Sequence, residues 1–181
     1  HVKIYSDSMQ GVADSLFYSL ADSTIRLHNK PILWVNENQI TGDTIYMHLN
    51  NKKAEQLRIL NNAMAISPVD STDYFNQLKG NSIIVDFMDG KIHKMQTKGS
   101  AENIYFTTDD EGKFIGVNQS NAQIITIDFN NDEPVKIVFI NQLTGKMTPM
   151  FDLPKSELKL NNFKWLIDLK PMSKFDILSP K

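Results

Sequence analysis

Hydrophobic and polar residues alternate along most of this chain in short runs, which is typical of strands that bury one face. Gly, Asn, Asp or Pro bound most of the runs, and these residues tolerate the dihedral angles of turns. The runs cover residues 2–5, 15–20, 24–27, 32–35, 44–49, 56–60, 82–87, 104–107, 124–129 and 135–140. No apolar stripe with a helical period occurs before Pro154. The pattern predicts an all-β body.

The alternating runs form a repeat. Residues 42–67 align without a gap on residues 80–105, and shifts of 42 and 29 residues add a third and a fourth copy. Each copy holds a strand, an Asn/Asp/Gly turn, a strand, a second turn and a short strand. Units that cannot bury an apolar face alone do so by stacking. We therefore expect repeated antiparallel hairpins stacked into one folded-over sheet.

The repeat divides the chain in two. Residues 1–147 carry it and residues 148–181 do not. The second part is expected to be a short irregular or helical tail, with short helices at 154–160 and 171–178. Its apolar residues predict a cap on one end of the sheet: Phe163, Trp165, Leu166, Ile167 and Leu169.

One face of the repeated strands is apolar, because side chains alternate between the two faces of a strand. The residues that share this face are Leu16, Tyr18, Ile45, Met47, Leu49, Ile83, Val85, Phe87, Ile125, Ile127 and Phe129. They predict either a dry core or a slot for an apolar ligand, in which each buried methylene contributes about 0.8 kcal/mol. Periodicity alone leaves both interpretations open.

The opposite face has Ser19, His48, Asp86 and Asp128 at one equivalent position of the four copies. A metal site is one interpretation, and a solvated outer face is the other. The chain has no cysteine, Gly-rich phosphate loop or nucleophile elbow. We therefore predict no catalytic residue, no metal or other cofactor and no enzymatic activity.

Charge and hydropathy narrow the possible partners. The net charge of −2 and the pI near 6.1 offer no basic face for nucleic acid. No apolar run approaches the roughly 18 residues of a transmembrane helix. The chain begins at His1 rather than Met, so we expect a processed or trimmed product whose signal peptide was removed or lies outside this sequence.

A series of short motifs resembles the OstA-like proteins of Bacteroidetes-type bacteria. The motifs are GVADSLFY (11–18), DSTIRL (22–27), PILW (31–34), NQITGD (38–43), FNQLKG (75–80), GKIHK (90–94), ENIYF (102–106) and FKW (163–165). These proteins are similar to the periplasmic lipopolysaccharide-transport bridge of the LptA and LptC type and to the N-terminal domain of LptD. The resemblance implies a β-taco or β-jellyroll-like domain over residues 1–147 with a C-terminal cap over 148–181.

The resemblance also implies a function. In that family an apolar groove shelters the acyl chains of lipopolysaccharide or lipid A, and open edge strands pair with other bridge proteins. By family position the apolar residues of the preceding list would line the groove. We expect a non-enzymatic periplasmic domain for lipopolysaccharide transport and outer-membrane biogenesis, with no nucleic-acid partner. The alternatives are a structural β-adaptor with a dry core that only binds partner proteins, and an enzyme acting on a metal or carbohydrate at the mixed face.

Overall fold

The computed structural model describes residues 2–69, 72–109, 111–131, 133–149 and 154–177. Thirteen strands join into one antiparallel sheet, which confirms the all-β prediction. The strands are β1 Val2–Tyr5, β2 Met9–Ala13, β3 Ser15–Ser19, β4 Thr24–His28, β5 Ile32–Val35, β6 Asn38–Thr41, β7 Thr44–Asn50, β8 Lys53–Pro68, β9 Phe75–Met88, β10 Lys91–Thr108, β11 Phe114–Asn130, β12 Glu133–Ile140 and β13 Thr144–Thr148.

The pairing order divides the sheet into two layers. The first layer runs β3, β4, β7, then through β8–β11, and ends at β12. The second layer runs β1, β2, β5, β6, then through β8–β11, and ends at β13. Each of the four long strands contributes one half to each layer. The stacked hairpins are therefore folded lengthwise, as predicted.

The long strands correct the expectation of short strands separated by a second turn. Strands β8–β11 have 16, 14, 18 and 17 residues. The expected second turn is a bend at which β8 and β10 shift register, between Leu60 and Ala63 and between Lys98 and Ala101. Left-handed residue pairs mark this bend in alternate strands or connections, at 29–30, 61–62, 99–100 and 141–142. We call this line of bends the crease.

Polar side chains join neighbouring strands along the crease. Asn62 Nδ2 donates to Asp43 Oδ2 at 3.0 Å, and Asn29 Nδ2 donates to Asp14 Oδ2 at 3.1 Å. Asn141 makes the equivalent bond to Gln123 Oε1 at 3.1 Å. The acceptors occupy equivalent positions of the repeat. Each hydrogen bond therefore ties one bend to a neighbouring position on the crease.

Gly42 and Gly80, which the repeat aligns, lie beside the crease. A Cβ atom on Gly80 would stand 2.5 Å from Thr97 Cγ2 and 3.1 Å from the Lys98 carbonyl oxygen. A Cβ atom on Gly42 would overlap Ile59 in the same way. The repeated glycine is thus required by close strand approach at the fold line.

The core lies between the two layers. In the first layer one inward row has no solvent exposure and consists of cross-strand neighbours: Leu27, Ile45, Ile59, Ile83, Thr97 and Ile125. The second layer contributes Leu33, Ile40 and Leu78 to the same cluster. Each fully buried Leu or Ile stabilises the fold by about 1.5–3 kcal/mol. The apolar rows are therefore continuous across the sheet.

The C-terminal tail crosses the outer face of the second layer, whereas we expected an apolar cap at one end of the sheet. Gln39 Nε2 donates to the Lys164 carbonyl oxygen and Gln39 Oε1 accepts from the Leu166 amide, both at 2.7 Å. Gln77 makes the same two bonds to Leu158 and Leu160, both at 2.8 Å. Backbone N–H and C=O groups of the tail thus find their hydrogen-bond partners in these two glutamine side chains.

The tail has 3₁₀ turns at Lys155–Leu158 and Ile167–Leu169. The helix predicted at 171–178 is a turn in its described part, and residue 178 lies outside the described residues. Hydrogen bonds from the amides of Met172 and Ser173 lower the pKa of Asp176. The hydrogen bonds between Ser173 and Asp176 thus close a turn rather than begin a helix.

Candidate functional site

A cavity of about 490 Å³ lies between the two layers, on the side away from the crease. Its described lining comes from both layers and from the ends of the long strands: Asn38, Ala65, Ser67, Pro68, Val69, Asn76, Leu78, Met95, Asn103, Tyr105, Thr108, Gly112, Phe114, Ile127, Phe129, Glu133, Pro134 and Ile137, with Ile66, Gln77 and Ile104. Ligand pockets in proteins commonly have volumes of about 300–1,000 Å³. The cavity is therefore large enough for part of a lipid chain.

The first layer supplies an apolar wall. Met95 on β10 neighbours Ile127 on β11, and Ile127 neighbours Ile137 on β12. Phe129 and Pro134 extend this wall to the β11–β12 turn. Cross-strand neighbours point to the same face, so these side chains form one surface toward the second layer.

The second layer supplies a wall with polar groups. Asn103 lies between Leu78 and Ser120 in register, so its side chain shares their inward face. Asn76 Oδ1 accepts a hydrogen bond from the Phe106 amide at 2.9 Å, and Ser67 Oγ donates to Asn38 Oδ1. The two walls of the cavity therefore differ in polarity.

The predicted apolar residues fall into three environments. Ile45, Met47, Ile83, Val85 and Ile125 are buried in the core. Leu49, Phe87, Ile127 and Phe129 are partly buried against it. Leu16 and Tyr18, at 38% and 46% exposure, lie on the edge strand β3. Of the predicted set, Ile127 and Phe129 line the cavity.

The first layer ends on both sides in a strand with one neighbour in the described sheet. Strand β3 pairs with β4, and β12 pairs with β11. Leu16, Phe17 and Tyr18 of β3 are exposed, and so are Val135 and Ile140 of β12. Unpaired backbone groups beside apolar side chains make such edges available for pairing with another strand.

The predicted polar row lies on the outer face of the first layer. Gln56 stands between His48 and Asp86 in register, and its Nε2 donates to Asp86 Oδ1 at 2.7 Å. Lys94 stands between Asp86 and Asp128 and lies 3.5 Å from the Asp128 carboxylate. Within the described ranges no group of three or more His, Cys, Asp or Glu side chains could hold a metal ion. The row has the character of a solvated face.

The described part of the chain contains no helix long and apolar enough to cross a membrane.

Two features of the site were not predicted from the sequence. The repeat aligns Gln39 with Gln77 and Gln119, and the last of these also binds the tail through the Glu157 carbonyl oxygen at 2.8 Å. The repeat likewise aligns Asn103 with Ala65, so a polar residue replaces an apolar one on an inward row. Comparing polar as well as apolar positions between the copies reveals both features.

The fold defines a class of protein: a β-taco, in which a repeated antiparallel sheet folds lengthwise over an apolar interior. Among solved structures the chain is similar to LptH from Pseudomonas aeruginosa, described as the LptA-homologous periplasmic component of the conserved lipopolysaccharide transport device. The match covers 78% of this chain and 95% of that chain, with a TM-score of 0.61 and 11% sequence identity. A likeness at this identity shows the fold alone. No family model and no curated protein matches the chain.

Proposed function

We propose that this protein is a non-enzymatic periplasmic carrier that shelters acyl chains of lipopolysaccharide or a related lipid between its two layers. The observation that carries the proposal is the cavity of about 490 Å³ with an apolar wall from the first layer. Transfer of a chain from water to this wall gains about 0.8 kcal/mol for each methylene buried. The polar head of the lipid would remain in water outside the sheet.

The similarity to LptH supports this proposal, because that protein is a periplasmic component of a lipopolysaccharide transport device. The exposed edge strands β3 and β12 support a second part of it, in which the protein docks other bridge components by strand pairing. Together these properties would suit a link in a chain of carriers rather than a catalyst.

Photo-crosslinking from the cavity wall tests the carrier. Ile137 and Val138 are adjacent on β12, are both half-buried and point to opposite faces. A photoreactive residue at position 137 is expected to crosslink to lipopolysaccharide, whereas the same residue at position 138 is not. Equal crosslinking at both positions, or none at position 137 in a folded protein, would contradict the proposal. Native mass spectrometry for a co-purifying lipid provides an independent check.

A structural adaptor is the second candidate, and the dry part of the core favours it. Ile45, Ile59 and Ile83 are completely buried by neighbouring side chains, so this part of the interior has no space for a ligand. An adaptor would bind partner proteins through its edges and no lipid. The absence of lipid crosslinking together with retained partner binding would favour this function over the carrier.

A further inference from the structure

One polar atom of the cavity lining has no partner in the protein. Four buried side-chain polar atoms lack a hydrogen bond within the described ranges: Trp34 Nε1, Thr97 Oγ1, Asn103 Oδ1 and Gln119 Oε1. Of these residues, Asn103 lines the cavity, and its exposure is 5%. Its amide oxygen is therefore an unpaired acceptor buried in the cavity wall, and a rotation of the side chain would present it to a molecule in the cavity.

The polar side chains beside Asn103 have other hydrogen-bond partners. Ser120, its neighbour in register, donates from Oγ to Asn118 Oδ1 at 2.7 Å. Asn76 Oδ1 accepts from the Phe106 amide at 2.9 Å. Buried polar groups in native proteins nearly always have a hydrogen-bond partner, so an exception inside a cavity points to a ligand.

The apolar wall of the first layer, across the cavity from Asn103, indicates what kind of ligand could pair with this acceptor. Met95, Ile127 and Ile137 present only hydrocarbon and thioether groups to the cavity. A plain acyl chain against them would leave the buried Asn103 Oδ1 unpaired, which is unfavourable. A chain with a hydroxyl or amide N–H group could pack against the same wall and donate a hydrogen bond.

We propose that Asn103 makes the cavity selective for amphiphiles whose acyl chain carries a hydrogen-bond donor, a hydroxyl or an amide N–H, over amphiphiles with a plain chain. The inference rests on the proposed carrier function and adds a specificity-determining residue to it. Asn103 contributes discrimination between ligands, whereas the apolar wall contributes affinity for all of them.

Competition binding with matched fatty acids tests the inference. The probes are myristic acid, β-hydroxymyristic acid and a mid-chain hydroxymyristic acid, each displacing a fluorescent fatty acid from the intact protein. At least one hydroxylated probe is expected to bind roughly five- to tenfold tighter than myristic acid. In Asn103→Leu this preference should fall to about one, while myristic acid binds as well as before or better.

Asn121→Leu is the matched control, because it makes the same change at an exposed position of the neighbouring strand β11. It should keep the preference. Asn103→Ala should also lose the preference for a hydroxylated probe. This second variant is included in case Asn103→Leu does not fold. Equal binding of all three probes by the natural chain, or a preference that survives in both Asn103 variants, would overturn the inference but not the carrier. No binding of any probe by the folded protein would overturn both.

Discussion

Gly99 and Gly90 have similar left-handed φ angles, +79° and +81°, in different surroundings. Gly99 lies at the crease, where an added Cβ atom would stand 2.9 Å from Asn81 Cβ. Gly90 lies in the turn between β9 and β10, where an added Cβ atom would meet nothing within 4 Å. A comparison of the two positions separates backbone strain from crowding at the crease.

Alanine at either glycine is expected to cost about 1–2 kcal/mol, because L-residues are strained in the left-handed region. Gly99→Ala should lose roughly 1–3 kcal/mol more than Gly90→Ala, since Asn81 or the bend must move. Urea unfolding of the two variants measures the difference. Equal losses would show that the crease is not tightly packed at this point.

The side-chain amide of Gln77 makes two hydrogen bonds to the backbone of the tail, as a neighbouring strand would. Gln77→Leu would leave the Leu158 carbonyl and the Leu160 amide without their side-chain partners. We expect a loss of roughly 1–3 kcal/mol in the free energy of unfolding. Hydrogen exchange of the Leu160 amide should accelerate as well.

Gln96→Leu is the control, because Gln96 lies on the outer face of the other layer and bonds only weakly to Thr126, at 3.4 Å. Its effect should stay within about 0.5 kcal/mol, as for most surface changes. Similar losses in both variants would contradict a special role of Gln77 in holding the tail.

Among the elements, the tail contributes by covering the outer face of the second layer. Leu158 packs against Ile104, Phe106 and Val117 in a second buried cluster. Phe75 also contacts the rings of Phe163 and Trp165, with centroids 5.3 Å and 5.1 Å apart. This layer is therefore sandwiched between the interior and the tail, whereas the first layer has a solvated outer face.

Leu158→Ala is expected to lower the free energy of unfolding by about 2–5 kcal/mol, because Leu158 is only 6% exposed. Leu169→Ala is the matched change in the same tail, and Leu169 is 41% exposed. Leu169→Ala should lower the free energy of unfolding much less than Leu158→Ala does. Urea unfolding distinguishes the two, and equal effects would show that the tail does not stabilise the layer through this contact.

For the whole molecule, the edge strand β3 gives a prediction about association between copies of the chain. Strand β3 has no charged residue, and the side chains of Phe17 and Tyr18 are 56% and 46% exposed. Charged side chains on an edge normally prevent strand pairing. We expect the protein to self-associate at high concentration through β3, and Tyr18→Lys to reduce this association about tenfold or more.

Leu20→Lys is the control, because Leu20 is more exposed, at 82%, but follows the end of β3. Sedimentation measurements over a range of protein concentrations would report both variants. A monomeric natural chain at all concentrations, or an equal effect of Leu20→Lys, would exclude β3 as the associating edge.

The repeat in the sequence predicted the architecture because the same apolar alternation must be buried in each copy. The repeat aligned Gly42 with Gly80, and only the structure shows that both lie beside the crease, where neighbouring strands approach closely. Strand lengths were underestimated, since polar residues such as Asn61 and Asn62 indicate a turn in sequence. In the structure they bend a continuous strand without ending its pairing.

The sequence by itself determined the strand pattern, the repeat and the apolar rows, because these depend on local alternation and on copies that must stack. The tertiary structure decided which parts of the rows are packed solid and where space remains. It also decided that the tail crosses the second layer and that Asn103 meets the cavity. These features depend on contacts between residues far apart in the chain, which alternation along one strand does not encode.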